Sequence, residues 1–215
     1  MPVKIGKAIG EILVEENIIS QKQLDLALKR QKQEKGKYLG QILFEMGIPQ
    51  DKINKALDYS GKRKPLGQVL LDFDIISPEQ LQEALEKQRK VQKGLGRRPL
   101  GILLVEMGHM TFDEYLDGLS KHFNMPIVSL RNFHPSPSMQ TRIGEKYARK
   151  HRIIVWENNA TKVKLVLGEP TKRIMEDLQK VFAHEKNIEF YLAHPYEVDS
   201  CFIKMFDPFS ANHYR

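Results

Sequence analysis

The stretch Leu66-Gly67-Gln68-Val69-Leu70-Leu71-Asp72-Phe73-Asp74-Ile75-Ile76-Ser77-Pro78-Glu79-Gln80-Leu81-Gln82-Glu83-Ala84-Leu85-Glu86-Lys87-Gln88 reads as a helical hairpin. Leu66, Val69, Leu70 and Phe73 fall at i, i+3, i+4 and i+7, the spacing of one face of a short helix. Asp74 tolerates the left-handed conformation that ends a helix. Ser77-Pro78-Glu79-Gln80 then supplies an N-cap, a proline at the first helical position and a capping-box partner. Leu81 and Leu85 mark the apolar face of a second helix. One hairpin cannot bury its own apolar face, so it must pack against another.

The chain supplies three more. Ile9-Gly10-Glu11-Ile12-Leu13, Leu39-Gly40-Gln41-Ile42-Leu43 and Leu100-Gly101-Ile102-Leu103-Leu104 repeat the opening step, and the four glycines are spaced by 30, 27 and 34 residues. Asn17, Gly47 and Gly108 stand at the turn that Asp74 occupies. Ser20 with Gln23 and Thr111 with Glu114 repeat the capping box, whereas the second copy runs Ile48-Pro49-Gln50 and is one residue short. Second helices follow through Leu24/Leu28, Ile53/Leu57 and Tyr115/Leu119. Residues 1–125 are therefore expected to form an all-α array of four helical hairpins. Basic residues gather between copies, as in Arg89, Lys90, Lys93, Arg97 and Arg98. Lys7, Lys37, Lys64 and Arg98 each stand three residues before a repeat glycine, a fixed offset that solvation of a linker does not explain.

From residue 126 the pattern changes. Ile127–Leu130 reads as a strand, 138–150 as a helix, and 152–156 with 162–167 as two strands joined at Asn158-Asn159. A helix entered through Gly168-Glu169-Pro170-Thr171, a strand over 188–192 and a helix over 195–206 follow. The order βαββαβα defines a small α+β domain over 126–206, with 207–215 as a flexible tail, so the fold class is α+β.

Composition sets the outer bounds. The 215 residues carry 34 Lys and Arg against 27 Asp and Glu, a formal charge of +7 that suits an anionic partner without naming one. A hydrophobic share of 41% argues against disorder, and the lone Cys201 argues against a disulfide scaffold. No apolar run is long enough for a transmembrane segment and the first residues lack a signal-peptide pattern, so a cytoplasmic protein is expected. The sequence holds no G-x-x-x-x-G-K-[ST] and its seven histidines show no metal spacing. No enzyme activity, metal or cofactor is expected.

The repeated pattern Leu-Gly-x-x-Leu-Leu, two apolar residues after the turn, then Leu, Leu and Gln resembles the N-terminal regulatory domain of type II secretion and type IV pilus assembly ATPases. The third copy carries it in Leu66, Gly67, Leu70, Leu71, Ile75, Ile76, Leu81, Leu85 and Gln88, and the first in Ile9, Gly10, Leu13, Val14, Ile18, Ile19, Leu24, Leu28 and Gln31. The resemblance spans about residues 5 to 206 and does not bring the ATPase module with it. In that family the pattern occurs in tandem and binds cyclic di-GMP. Carried over, this implies a ligand site between the third and fourth copies at Leu66, Gly67, Leu81, Leu85, Gln88, Arg98, Leu100 and Gly101. A second would lie between the first and second at Ile9, Gly10, Leu24, Leu28, Gln31, Leu39 and Gly40. The family's Arg before Leu-Gly is replaced by Ala8, Tyr38, Pro65 and Pro99, and the terminal Gln by Ser60 and His122 in the second and fourth copies.

Three functions stay open on the sequence. The resemblance implies a non-enzymatic regulatory protein that binds cyclic di-GMP and reports it to a protein partner in a secretion or pilus assembly machine. The same fold with no nucleotide ligand would be a docking adaptor. Nucleic-acid binding through basic hairpins is the third, disfavoured because the basic residues lie in linkers and acids intersperse the helices.

Overall fold

The computed structural model describes residues 7–91, 98–182 and 187–206. The expected tail 207–215 and the linker residues Lys93 and Arg97 lie outside them. The chain divides into two compact units, Met1–Asn124 and Met125–Arg215.

The first unit consists, among the described residues, of helix pairs. α1 (Ile9–Glu15) and α2 (Gln21–Gln33) form the first hairpin, and α3 (Leu39–Glu45) and α4 (Gln50–Tyr59) the second. The third and fourth are α5 (Leu66–Asp72) with α6 (Pro78–Val91), and α7 (Leu100–Glu106) with α8 (Phe112–Phe123). Asn17, Gly47, Asp74 and Gly108, the turn residues, all take positive φ, between 52° and 88°. Ser20, Ser77 and Thr111 each accept a hydrogen bond through the side-chain oxygen from the backbone N–H three residues on, and each donates its own backbone N–H to the side-chain oxygen of that residue, Gln23, Gln80 or Glu114. Pro49 precedes α4 without a side-chain cap.

Each hairpin closes through its glycine. A Cβ on Gly10 would stand 2.5 Å from Leu24, one on Gly67 3.0 Å from Leu81, and one on Gly101 2.0 Å from the ring of Tyr115. In every case the intruding side chain comes fourteen residues later, from the second helix of the same hairpin. The second copy is a residue shorter, and there Ile53 stands 3.3 Å from the corresponding point on Gly40. The glycine lets the two helices approach closely enough to bury Ile12, Leu13, Ile42, Leu43, Val69, Leu70, Leu103 and Leu104 between them.

Hairpins then pair reciprocally. α2 packs on α3 and α1 on α4, while α6 packs on α7 and α5 on α8. The apolar residues of the first pair form one continuous core around Leu13, Leu24, Ile42, Leu43 and Ile53.

The second unit is a three-stranded sheet in the order β1 (Ile153–Asn158), β2 (Lys162–Leu167), β3 (Asn187–Leu192). β1 and β2 are antiparallel with a register shift between Val155 and Glu157, and β2 and β3 are parallel, connected through α11 (Lys172–Phe182). Asn159 turns the hairpin by accepting from the backbone N–H groups of Thr161 and Lys162. α12 (Pro195–Phe206) buries Val198, Cys201 and Phe202 in a core with Ile154, Val166 and Ala193. Burial pushes the Cys201 thiol up to about 11, so it stays protonated at neutral pH.

The expected βαββαβα order is drawn more finely at two points. The segment 127–130 makes a single bridge, Ile127 to Leu192, and not a full strand. The carboxylate of Glu197 takes the N–H of Leu130 and the hydroxyl of Ser129, which turns the chain away from the sheet. The helix over 138–150 is split into α9 (Pro137–Gln140) and α10 (Glu145–Lys150) by Gly144 at φ 81°. Among the described residues no helix is long and apolar enough to cross a membrane.

The glycine contacts make a direct prediction. Gly101→Ala should cost about 1–3 kcal/mol, because the buried Tyr115 ring cannot yield as a flexible chain end would. Gly36→Ala, with nothing within 4 Å of its Cβ, should leave stability unchanged or slightly raised. Urea unfolding of the two variants checks this.

Candidate functional site

The fixed-offset basic residues have a common partner. Lys7 pairs with Glu15, Lys37 with Glu45 at 2.6 Å, Lys64 with Asp72, and Arg98 with both oxygens of Glu106 at 2.5 and 2.7 Å. Each acid is the last residue of the first helix of its hairpin, eight positions after the base. An acid at a helix C-terminus opposes the helix dipole, and the incoming base offsets it. These pairs strap the entering chain along its own helix. At Asp72 the Lys64 ammonium, followed by Gln68, holds the carboxyl below the usual carboxylate range.

A second regularity joins the copies of a pair. Gln31 donates to the backbone carbonyl of Lys37 at 3.2 Å, and Gln88 to that of Arg98 at 2.6 Å. His122, which stands where the fourth copy should have Gln, bonds through Nδ1 to the carbonyl of Lys64 at 2.8 Å. Since a carbonyl only accepts, Nδ1 carries the proton. The third and fourth copies are thereby tied in both directions. Ser60, at the same position in the second copy, is too short to reach across and bonds back to Ala56 in its own helix.

The two expected sites differ accordingly. Between the third and fourth copies, Gly67 is covered by Leu81 and Leu100, and Gly101 by Tyr115. Gln88 holds the backbone carbonyl of Arg98, Leu66 lies by Gly118, and Leu81 and Leu85 line a groove with Arg89 along α6. Between the first and second copies, Gly10 and Leu24 pack on each other, and Leu28 is 40% exposed. Ile9, Gln31, Leu39 and Gly40, by contrast, line one cavity of about 300 Å³.

That cavity is walled on its other side by residues the sequence did not single out as ligands: Lys62, Arg63, Lys121, His122 and Asn124. Arg63 is fixed by Asp58 at 2.7 Å, by the His122 carbonyl at 2.7 Å and by the Asn54 side chain at 3.0 Å. Lys121 is paired with Asp117 and lies 4.6 Å from the centre of the Phe73 ring. Tyr38, in the wall, donates its hydroxyl to Asp72, and burial, with that bond, raises its phenol. Burial also pushes the His122 imidazole below its ordinary value, with Arg63 adding to the effect against Lys64 and Asp58. The signal that could have found this wall was the irregularity of the second copy, whose Gly40, Ile53 and Leu57 line the cavity.

The fold and this arrangement place the chain among known proteins. Residues 123–211 match the model of the MshEN domain family. The chain is similar to the N-terminal domains of type II secretion and type IV pilus assembly ATPases. The type IV pilus assembly ATPase PilB of Myxococcus xanthus (strain DK1622) is 28% identical over 128 residues, 60% of this chain. The match spans only 22% of that protein's length. A solved structure of MshE with cdg superposes at a TM-score of 0.59 and 23% identity, covering 67% of this chain and all of that one. The N-terminal domain of XpsE follows at a TM-score of 0.50 and 14% identity, covering 68% of this chain and 95% of that one. At these identities the two structures establish a shared fold.

The lowered His122 value fixes a pH dependence. Between its folded value and the unfolded value near 6.5, the unfolded chain binds more protons, so stability rises with pH. This contribution is complete above about pH 6.5 and is lost as pH falls below it. In urea titrations at pH 7.5 and 5.5, His122→Gln should lose less stability on acidification than the parent protein. An equal loss would show that His122 does not titrate in the folded state as described.

Proposed function

We propose that this chain is a non-enzymatic regulatory module of the kind found at the N-terminus of secretion and pilus assembly ATPases. It acts in the cytoplasm, binds cyclic di-GMP through its paired hairpins, and passes the state of the site to a protein partner. Residues 1–125 form the sensing domain and 126–206 the second domain. The observation that carries this reading is the tandem pairing itself. Two hairpins are held face to face by Gln31 or Gln88, and in the first pair this leaves an apolar cavity with a basic wall. The structural likeness to MshE, solved with cdg, supports it. A ligand held there would set the mutual angle of the hairpins and so the surface offered to a partner.

One observation favours a second reading, a docking adaptor without nucleotide. The four bases at the fixed offset are engaged by their straps, so they are not standing free for a phosphate. The same pairing weighs against nucleic-acid binding, which needs unpaired cations on one face.

Calorimetric titration of cyclic di-GMP into the purified protein, with GTP as control, decides between them. Micromolar or tighter binding of cyclic di-GMP, weakened by Gln31→Ala, is expected. No heat at millimolar cyclic di-GMP with a folded protein would leave the adaptor.

A further inference from the structure

The first and second hairpin pairs meet at Tyr38. Its ring packs edge-on against Phe73 with centroids 4.8 Å apart, and its hydroxyl donates to Asp72 at 2.9 Å. Tyr38 stands directly before α3, a place held by Ala8, Pro65 and Pro99 in the other copies. None of those three carries a side-chain donor, so the second copy alone can send a hydrogen bond from this position.

Both ends of the contact lead to a bond that closes a pair. On one side, Tyr38 follows Lys37, whose carbonyl takes the Gln31 amide, and its own N–H is held by Gln41 at 3.1 Å. On the other, Asp72 also takes the Lys64 ammonium, and the Lys64 carbonyl takes the Nδ1 proton of His122 at 2.8 Å. Lys121, beside His122, places its ammonium 4.6 Å from the centre of the Phe73 ring. The bond across the first pair and one of the two across the second are therefore joined by one chain of contacts: Gln31, Lys37, Tyr38, Asp72, Lys64 and His122.

This junction is polar and aromatic, whereas the core of the first pair draws on residues between Ile9 and Leu57. Directional bonds can be exchanged for bonds to water without opening such a core, so one pair can change its closure while both stay folded. Burial, with Asp72 adding to it, raises the Tyr38 phenol, so the hydroxyl keeps its proton at neutral pH. Tyr38 also lines the cavity of the first pair, so whatever fills or empties that cavity acts on the link directly.

We propose that the Tyr38–Asp72 bond couples the two hairpin pairs, passing the open or closed state of the first to the second. The second pair, tied in both directions by Gln88 and His122, is the element that responds. The inference rests for its purpose on the regulatory reading, in which the state of the first pair is reported onward. The link itself needs no ligand.

The test is hydrogen–deuterium exchange of the full chain, read by mass spectrometry with no nucleotide present. Gln31→Ala loosens the first pair at Lys37, and Tyr38→Phe removes the hydroxyl while keeping the ring. The two are compared singly and together, with thermal melting to verify folding. Gln31→Asn, whose shorter amide falls short of the carbonyl, takes the place of an alanine variant that does not fold. In Gln31→Ala, exchange should quicken about fivefold or more in α5 and α8 as well as in α3. With Tyr38→Phe added, the effect of Gln31→Ala should stay in α3 and α4. The coupling is overturned if α5 and α8 are unmoved by Gln31→Ala, or if they quicken equally with and without the Tyr38 hydroxyl. An even rise over the whole first unit, the mark of global loosening, overturns it as well. Cyclic di-GMP is absent from every arm. A failed transmission therefore strikes the coupling alone, and a calorimetric titration without heat strikes the nucleotide reading alone.

Discussion

The first unit depends on one close approach, repeated. A glycine in the first turn of a short helix admits a large apolar side chain from the helix that follows it. Helices of seven residues are too short to be stable alone in water, so their persistence rests on burial against a neighbour. The glycine sets how deep that burial goes. Where Leu24, Leu81 or Tyr115 enters, the hairpin is closed and its face is spent on itself. The ion-pair straps act on the same short helices from outside, returning the entering chain to the acid at the far end.

The second copy shows what a single missing residue does to such a scheme. The cap is lost, Gln50 is released to bind the end of α8, and Ile53 covers Gly40 less tightly. Ser60 then fails to bridge to the first copy. None of these changes unfolds the hairpin, because Ile42, Leu43, Ile53 and Ala56 remain fully buried. They leave space on one side of the pair. The irregular copy, and not the regular ones, therefore makes the cavity.

The hairpins were legible in the sequence because their causes are local: helical spacing of apolar residues, serine and threonine caps, and turn residues that tolerate positive φ. The base at the fixed offset was equally visible, but its purpose was not. The acid eight positions later ends a helix, a geometry that shows only once the helix length is known. The pairing of Gln31 and Gln88 with carbonyls and the wall of the cavity depend on contacts between copies, and no periodicity reports these. In the second unit, β1, β2 and β3 were readable from their apolar runs. The fate of residues 127–130 was not, since it is decided by Glu197 from a distant helix.

The sheet of the second unit has both of its margins occupied. At Val155 on β1, the buried amide of Gln140 takes the outward N–H and carbonyl, at 3.3 and 3.5 Å. Along β3, Pro126 and Val128 do the same at Leu192, at 2.8 Å each. A neighbouring polypeptide that sought to extend the sheet would find its template already engaged at these points. A strand from another copy would have to displace these bonds before it could pair along the full length of either margin.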